Sequence, residues 1–150
     1  MPQSLSLLLV HLVFSTKDRL PLIGPSVRAE LHGYLAEVAR NMECECFRVG
    51  GMADHVHLAI GLSRTVAVAN LVKDLKTSSS KWMKGRSPEL YAFAWQRGYG
   101  AFSVAPGDQQ TLLDYINNQE EHHRTRSFQE EFRAFLNKYN IEYDERYVWD

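Results

Sequence analysis

Cysteine is scarce. Cys44 and Cys46 are the only two in 150 residues, too few for a disulfide framework. Their i, i+2 spacing in an extended segment suits reduced, buried strand thiols of a cytoplasmic protein better than ligands of a soft metal. Long apolar runs are missing too, and none approaches the roughly 20 residues that a membrane span needs. Leu5 to Phe14 lacks a basic leader and a small-residue cleavage site and contains His11, so it reads as a strand and not as a signal peptide. Repeats and low-complexity segments are absent. At 45% hydrophobic and 23% charged, the chain is neither disordered nor collagen-like nor a coiled coil, and its length suits one domain. A large net charge is also lacking, the formal value being −1. That balance conceals an asymmetry. Residues 1–86 carry 11 Lys+Arg against 7 Asp+Glu, and residues 87–150 carry 6 against 11. A local basic surface is enough to hold phosphate, so charge alone leaves the partner open.

What is present has a clear order. Ser4 to Thr16 is apolar on both faces apart from His11, as in a central strand covered on both sides. Ser26 is a candidate cap for an amphipathic helix whose stripe is Val27, Leu31, Tyr34, Leu35, Val38 and Met42. A strand over Glu43 to Gly50, a turn at Gly51-Met52-Ala53 and a strand from Asp54 to Leu62 predict an antiparallel hairpin. Thr65 is a candidate cap for a helix over about 66–84, and a strand is expected within Gln96 to Ala105. The sum is βαββαβ, a ferredoxin-like α+β plan with an antiparallel sheet and helices on one face. Pro106-Gly107 break the chain, and Asp108 is a candidate cap for a helix reaching about His122. Ser127-Phe128-Gln129-Glu130 is a capping box that opens a helix with the stripe Phe128, Phe132, Phe135 and Leu136. The expected organisation is one domain over 1–150: a core to about residue 105, a helix over about 108–122, and a final helix and docked tail over 127–150.

Three clusters carry chemistry. His55-Val56-His57 puts two imidazoles on one face of a strand and Val56 in the core with Leu58 and Ile60. Such a pair can hold one metal ion and leave most of its coordination open for substrate. It can equally be two exposed strand histidines, since the pattern arises by chance in roughly one chain in five at this histidine content. Tyr115, Gln119 and His122 recur at i, i+4, i+7 and share a helix face beside Leu112 and Ile116. Tyr115 is there either a nucleophile, needing a cation to stabilise its phenolate, or an ordinary amphipathic edge residue; Gln119 either completes a metal site or is solvated. The third cluster, KDLKTSSSKWMKGR from Lys73 to Arg86, has five basic residues against one acid, with three serines and Trp82. Lys73, Lys76, Ser80, Lys81, Lys84 and Arg86 suit phosphate oxygens, with Trp82 for base stacking, or form a solvated face. Lys17 and Arg19 extend that surface. Asp54 either orients an imidazole or starts the strand. His11 and His32 read as structural. His122-His123 cannot easily share one ion, because adjacent helical rings diverge by about 100°; the pair reads as a solvated helix end, with a role near phosphate for one ring as the alternative.

Taken in order, these motifs resemble the single-tyrosine HUH transposases of the bacterial insertion sequence 200/605 group. The segments that carry the likeness are HLVFSTKDRLPLI (His11 to Ile23), DHVHLAI (Asp54 to Ile60), LVKDLKTSSSKWMK (Leu71 to Lys84), WQRGYGAFSV (Trp95 to Val104), YINNQEEHH (Tyr115 to His123) and FQEEFRAFLNKYNIEYDERYVWD to the end. The resemblance implies that His55 and His57 are metal ligands, Gln119 the third ligand, and Tyr115 the nucleophile that forms a 5′-phosphotyrosine. It implies Mg²⁺ or Mn²⁺, where the ligand set alone leaves Zn²⁺ and Mn²⁺ open. It implies a substrate of single-stranded DNA with subterminal hairpins, no nucleotide cofactor, and a homodimer in which the tyrosine helix of one subunit completes the site of the other. The implied setting is the cytoplasm, at the nucleoid. By its position, Gly107 is a candidate hinge for the tyrosine helix.

Other readings make different demands. A non-catalytic or domesticated DNA-binding relative, such as a transposase-like protein associated with repetitive extragenic palindromes, would keep the basic helix and lose the chemistry. A metal-dependent hydrolase with water as nucleophile would tolerate Tyr115→Phe. A ferredoxin-like dimer with no active site would gain no stability from metal.

Overall fold

The computed structural model describes residues 2–150. Its first strand, β1 (Leu9–Ser15), is rich in branched residues and buried along nearly its whole length. It pairs antiparallel with β3 (His55–Gly61) on one side and β4 (Gly100–Val104) on the other. The fourth strand, β2 (Glu45–Gly51), lies on the outer side of β3, with a register shift between Cys46 and Arg48. The order β2-β3-β1-β4 is the ferredoxin-like arrangement expected from the sequence.

Alternation divides the sheet into two faces. Leu12, Phe14, Val56, Leu58 and Ile60 point to one side, into the larger core with Leu31 and Leu35 of α1 (Pro25–Asn41) and Leu71 and Leu75 of α2 (Val68–Lys84). Val13 and Phe102 point to the other side and meet Phe128, Phe132 and Leu136 of α5 (Phe128–Lys138). The central strand is therefore covered on both sides, with the C-terminal helices supplying the second cover.

Some local details differ from the sequence reading. The cap of α1 is Gly24 with Pro25 in the first turn, not Ser26, because proline's fixed φ starts the helix two residues earlier. The cap of α2 is Ala67 with no side-chain bond, and Thr65 instead meets Ser63 Oγ at 3.1 Å. Ser127 forms the expected capping box with Glu130. The helix after Pro106 does not run unbroken to His122. It splits at Asn118 into α3 (Gln109–Asn117) and α4 (Gln119–His122).

Two glycines let the second cover sit close to the sheet. A Cβ on Gly50 would lie 2.5 Å from the Ile116 carbonyl oxygen of α3, and one on Gly100 would lie 2.6 Å from the Phe132 ring of α5. At the end of the tail Trp149 packs edgewise on Phe128, and the Gly98 N–H donates to the Asp150 oxygen at 2.8 Å. Cys44 and Cys46 are free and buried, and burial pushes the Cys46 thiol up to about 11. Among the described residues no helix is long and apolar enough to cross a membrane.

Candidate active site

The site grows out of strand alternation. His55 and His57 share the sheet face that carries Val13, and both are fully buried beneath α3, α4 and α5. Each ring is held by its Nδ1. That of His55 lies 2.7 Å from Asp54 Oδ1, and that of His57 lies 2.7 Å from His11 Nε2. With both Nδ1 atoms engaged outward, both Nε2 atoms turn toward one point. Outer partners of this kind fix the tautomer of metal-ligating histidines.

Three further groups reach that point. Gln119, at the start of α4, is buried and puts its Oε1 2.9 Å from His55 Nε2. Its amide N–H donates to Glu131 Oε2 at 3.3 Å, which keeps the carbonyl facing the histidines. His123 Nε2 stands 3.1 Å from the same Gln119 oxygen, while its Nδ1 lies 2.7 Å from the Arg126 carbonyl oxygen. Glu131, from α5, is completely buried, with Oε1 2.8 Å from His57 Nε2 and 3.3 Å from His123 Nε2. Ligand atoms of His55, His57, His123 and Glu131 all fall within 4.8 Å of one another. This converging set of imidazole nitrogens and hard oxygens fits a divalent ion.

Tyr115 stands beside the cluster on α3. Its hydroxyl donates to Glu131 Oε2, and Arg126 Nη2 donates to it at 3.3 Å. His122 stacks on its ring with centroids 4.3 Å apart, as the shared helix face implied. The other side of Tyr115 opens on a cleft of about 520 Å³, lined also by His11, Leu112, Phe135, Lys138 and Tyr139.

Burial sets the charges. It pulls the His57 imidazole down to about 4 against the attraction of Glu131, and it lowers His11 well below the usual value with help from His57. Glu131 is held well below the carboxylate range: burial would raise it, but hydrogen bonds from His123 and His57 outweigh burial. For His123 the burial penalty is likewise outweighed by Glu131, so its value is raised. Burial and the Glu131 charge push the Tyr115 phenol above its ordinary value. The resting cluster thus holds the Glu131 carboxylate beside neutral His11 and His57, with the tyrosine protonated.

Tyr115, Gln119, His55 and His57 meet in this site. The basic helix does not join them. α2 lies on the opposite face of the sheet, where Lys73, Lys81, Lys84 and Arg86 are exposed. Arg86 sits 4.4 Å over the Trp82 ring, which stacks on Tyr34. Ser80 is half-buried, its hydroxyl 3.5 Å from the Phe93 carbonyl oxygen. Lys76, expected on the phosphate surface, instead braces the loop before β4. Its ammonium donates to the carbonyl oxygens of Gln96, Arg97 and Gly98 at 2.8, 3.1 and 2.6 Å. Lys17 is exposed, and Arg19 lies 5.7 Å over the Trp149 ring.

The sequence reading missed three residues. His11, read as structural, holds His57. His123, read as a solvated helix end, faces Gln119, and its signal was the i, i+4 spacing from that residue. Glu131 also had a signal. It falls three residues after Phe128 and four before Phe135, a lone charge within an apolar stripe.

Comparison with known proteins finds relatives of the chain and of its fold. The family model described as Transposase IS200 like matches residues 4–119. The chain is 26% identical over 114 residues to the ISDra2 transposase TnpA of Deinococcus radiodurans, across 73% of this chain and 81% of that relative. A crystal structure of a candidate transposase from Deinococcus radiodurans superposes with a TM-score of 0.62 at 25% identity, covering 79% of this chain and 98% of that one. A tyrosine transposase associated with REP sequences, bound to a REP hairpin, superposes with a TM-score of 0.60 over 82% of this chain and 74% of that one. Its 13% identity makes that a likeness of fold.

Proposed function

Since the chain belongs to the IS200-like transposase family, we propose that it cleaves and rejoins single-stranded DNA at insertion-sequence ends by transesterification through Tyr115. The observation that carries this reading is the meeting of four residues within one site. The hydroxyl of Tyr115 lies against the same Glu131 carboxylate that contacts His57 and Gln119, and Gln119 in turn contacts His55.

In the proposed reaction the Tyr115 oxygen attacks a DNA phosphate. A 5′-phosphotyrosine bond forms, the phosphorus–oxygen bond to the 3′ side breaks, and the phenolic proton ends on the released 3′-hydroxyl. A second 3′-hydroxyl reverses the exchange on a new partner, so the diester energy is kept and no nucleotide is consumed. His55, His57 and Gln119 would hold the ion, Mg²⁺ or Mn²⁺, which when bound polarises the phosphate and offsets developing charge. Asp54 and His11 orient the two imidazoles. Arg126, against the tyrosine hydroxyl, is placed to meet a phosphate oxygen. The α2 surface of Lys73, Ser80, Lys81, Lys84 and Arg86, with Lys17 and Arg19 at the end of β1, is the proposed contact for folded DNA ends. A homodimer that exchanges the α3 helix between copies belongs to the same reading, and light scattering tests it. The space around Gly107 is open and a Cβ there meets nothing within 4 Å, so Gly107→Ala tests the hinge without a clash.

The deciding experiment is covalent capture. Single-stranded DNA carrying the ends of the encoding element is mixed with wild type or Tyr115→Phe, with Mn²⁺ or with chelator. A metal-dependent protein–DNA adduct, absent from the variant, is expected. Absence of adduct on DNA that the protein binds would favour a binding-only relative.

A further inference from the structure

Resting on the reading above, we propose that Glu131 is itself a ligand of the divalent ion, and that one carboxylate joins the ion to the nucleophile: Oε1 takes the ion while Oε2 holds the Tyr115 hydroxyl. Glu131 lies outside residues 4–119, the part of the chain that the family match covers.

The two oxygens already have separate tasks. Oε1 is 2.8 Å from His57 Nε2, 3.3 Å from His123 Nε2 and 3.6 Å from His55 Nε2. Neighbouring donors around an octahedral Mg²⁺-sized ion lie about 3 Å apart, so these atoms, hydrogen-bonded in the absence of an ion, already stand at the spacing of donors that share one. Oε2 turns away from the histidines, accepting from the Tyr115 hydroxyl and from the Gln119 amide. The backbone of Glu131 is fixed by α5, whose Phe128, Phe132 and Leu136 are seated in the second core. A fully buried anion is costly unless cations face it. Among the described residues the Glu131 oxygens meet imidazole, amide and phenol groups but no guanidinium or ammonium, and a divalent ion among the Nε2 atoms supplies the missing positive charge.

The test uses the full chain and Mn²⁺ alone, read by calorimetry and by the EPR signal of free Mn²⁺. Wild type is expected to bind one ion, and Glu131→Gln, which preserves shape, to bind it on the order of 10-fold to 100-fold more weakly. Tyr115→Phe, which leaves the carboxylate in place, is expected to stay within a few-fold of wild type. Equal affinity in wild type and folded Glu131→Gln overturns this inference and leaves the proposed function standing. No ion binding by wild type overturns both. If Glu131→Gln does not fold, wild-type crystals soaked in Mn²⁺ decide. An ion within about 2.2 Å of a Glu131 oxygen supports the proposal, and one beyond about 3 Å from both oxygens overturns it.

Discussion

At the scale of single residues, the site depends on side chains outside the proposed ligand set. His11 is one strand away from His57 and fixes its ring through Nδ1. His11→Leu should keep the fold, since the position lies between Leu9 and Val13 on a buried strand, yet weaken Mn²⁺ binding by about 10-fold to 100-fold. Calorimetry on the folded variant checks this. Lys76 is the opposite case, a charged residue on a basic helix whose ammonium is spent inside the protein. Burial lowers it to about 8 while three carbonyl oxygens accept its hydrogen bonds. Lys76→Met should cost about 2–3 kcal/mol in urea denaturation. It should leave the salt dependence of DNA binding unchanged, whereas Lys81→Gln or Lys84→Gln should each reduce that slope by about 1. Such assignments separate what a sequence can convey from what it cannot. For His55 with His57, and Tyr115 with Gln119, a short local period put each pair on one face, and only the family resemblance implied what the pairs do. His11 was not legible, because its partner arrives from another strand through a register that no local spacing encodes.

At the scale of elements, the second cover of the sheet determines where the tyrosine stands. α3 approaches β2 at Gly50, and any side chain there collides with the Ile116 backbone and its Cγ2. Gly50→Ala should cost about 1–3 kcal/mol through this overpacking and displace Tyr115, lowering the adduct yield. Gly33→Ala, exposed on α1 with nothing within 4 Å, is the control and should stabilise by about 0.5–1 kcal/mol. The four strands, both core helices and the capping box of α5 were legible from period, turn and cap signals. The break at Asn118 was not. Tyr115 and Gln119 keep helical spacing across it, so the apolar stripe gives no sign of a change in axis. The misplaced caps at Ser26 and Thr65 have a simpler cause, since hydroxyl residues near a helix start compete with proline and with turn bonds of their own.

At the scale of the whole molecule, burying neutral histidines links stability to acid. His32 on α1 has a buried Nε2 without a partner, and burial, aided by Arg28, lowers it to about 4. His57 is lowered similarly. Between about pH 6.5 and 4 the unfolded chain therefore binds more protons than the folded one, and stability falls as pH falls through that window. His32→Leu should recover about 1–2 kcal/mol of the loss near pH 4.5, allowing for the partial exposure of the ring. Thermal melts of both proteins at pH 7 and pH 4.5 check it. Metal should resist the same loss, because an ion bound only by the folded state raises its apparent stability.

The position of β1 has one more consequence. Its alternate side chains serve two interiors at once: Leu12 and Phe14 belong to the packing of α1 and α2, while His11 and Val13 belong to the cluster under α5. A substitution in this strand alters one side only. A single inserted or deleted residue moves every later position to the wrong side, placing an imidazole in the oil and a leucine among the ligands. Length in β1, and in β3 beside it, is thus inherited as a fixed frame, and lineages of this protein can vary in length only where the chain has no such double duty.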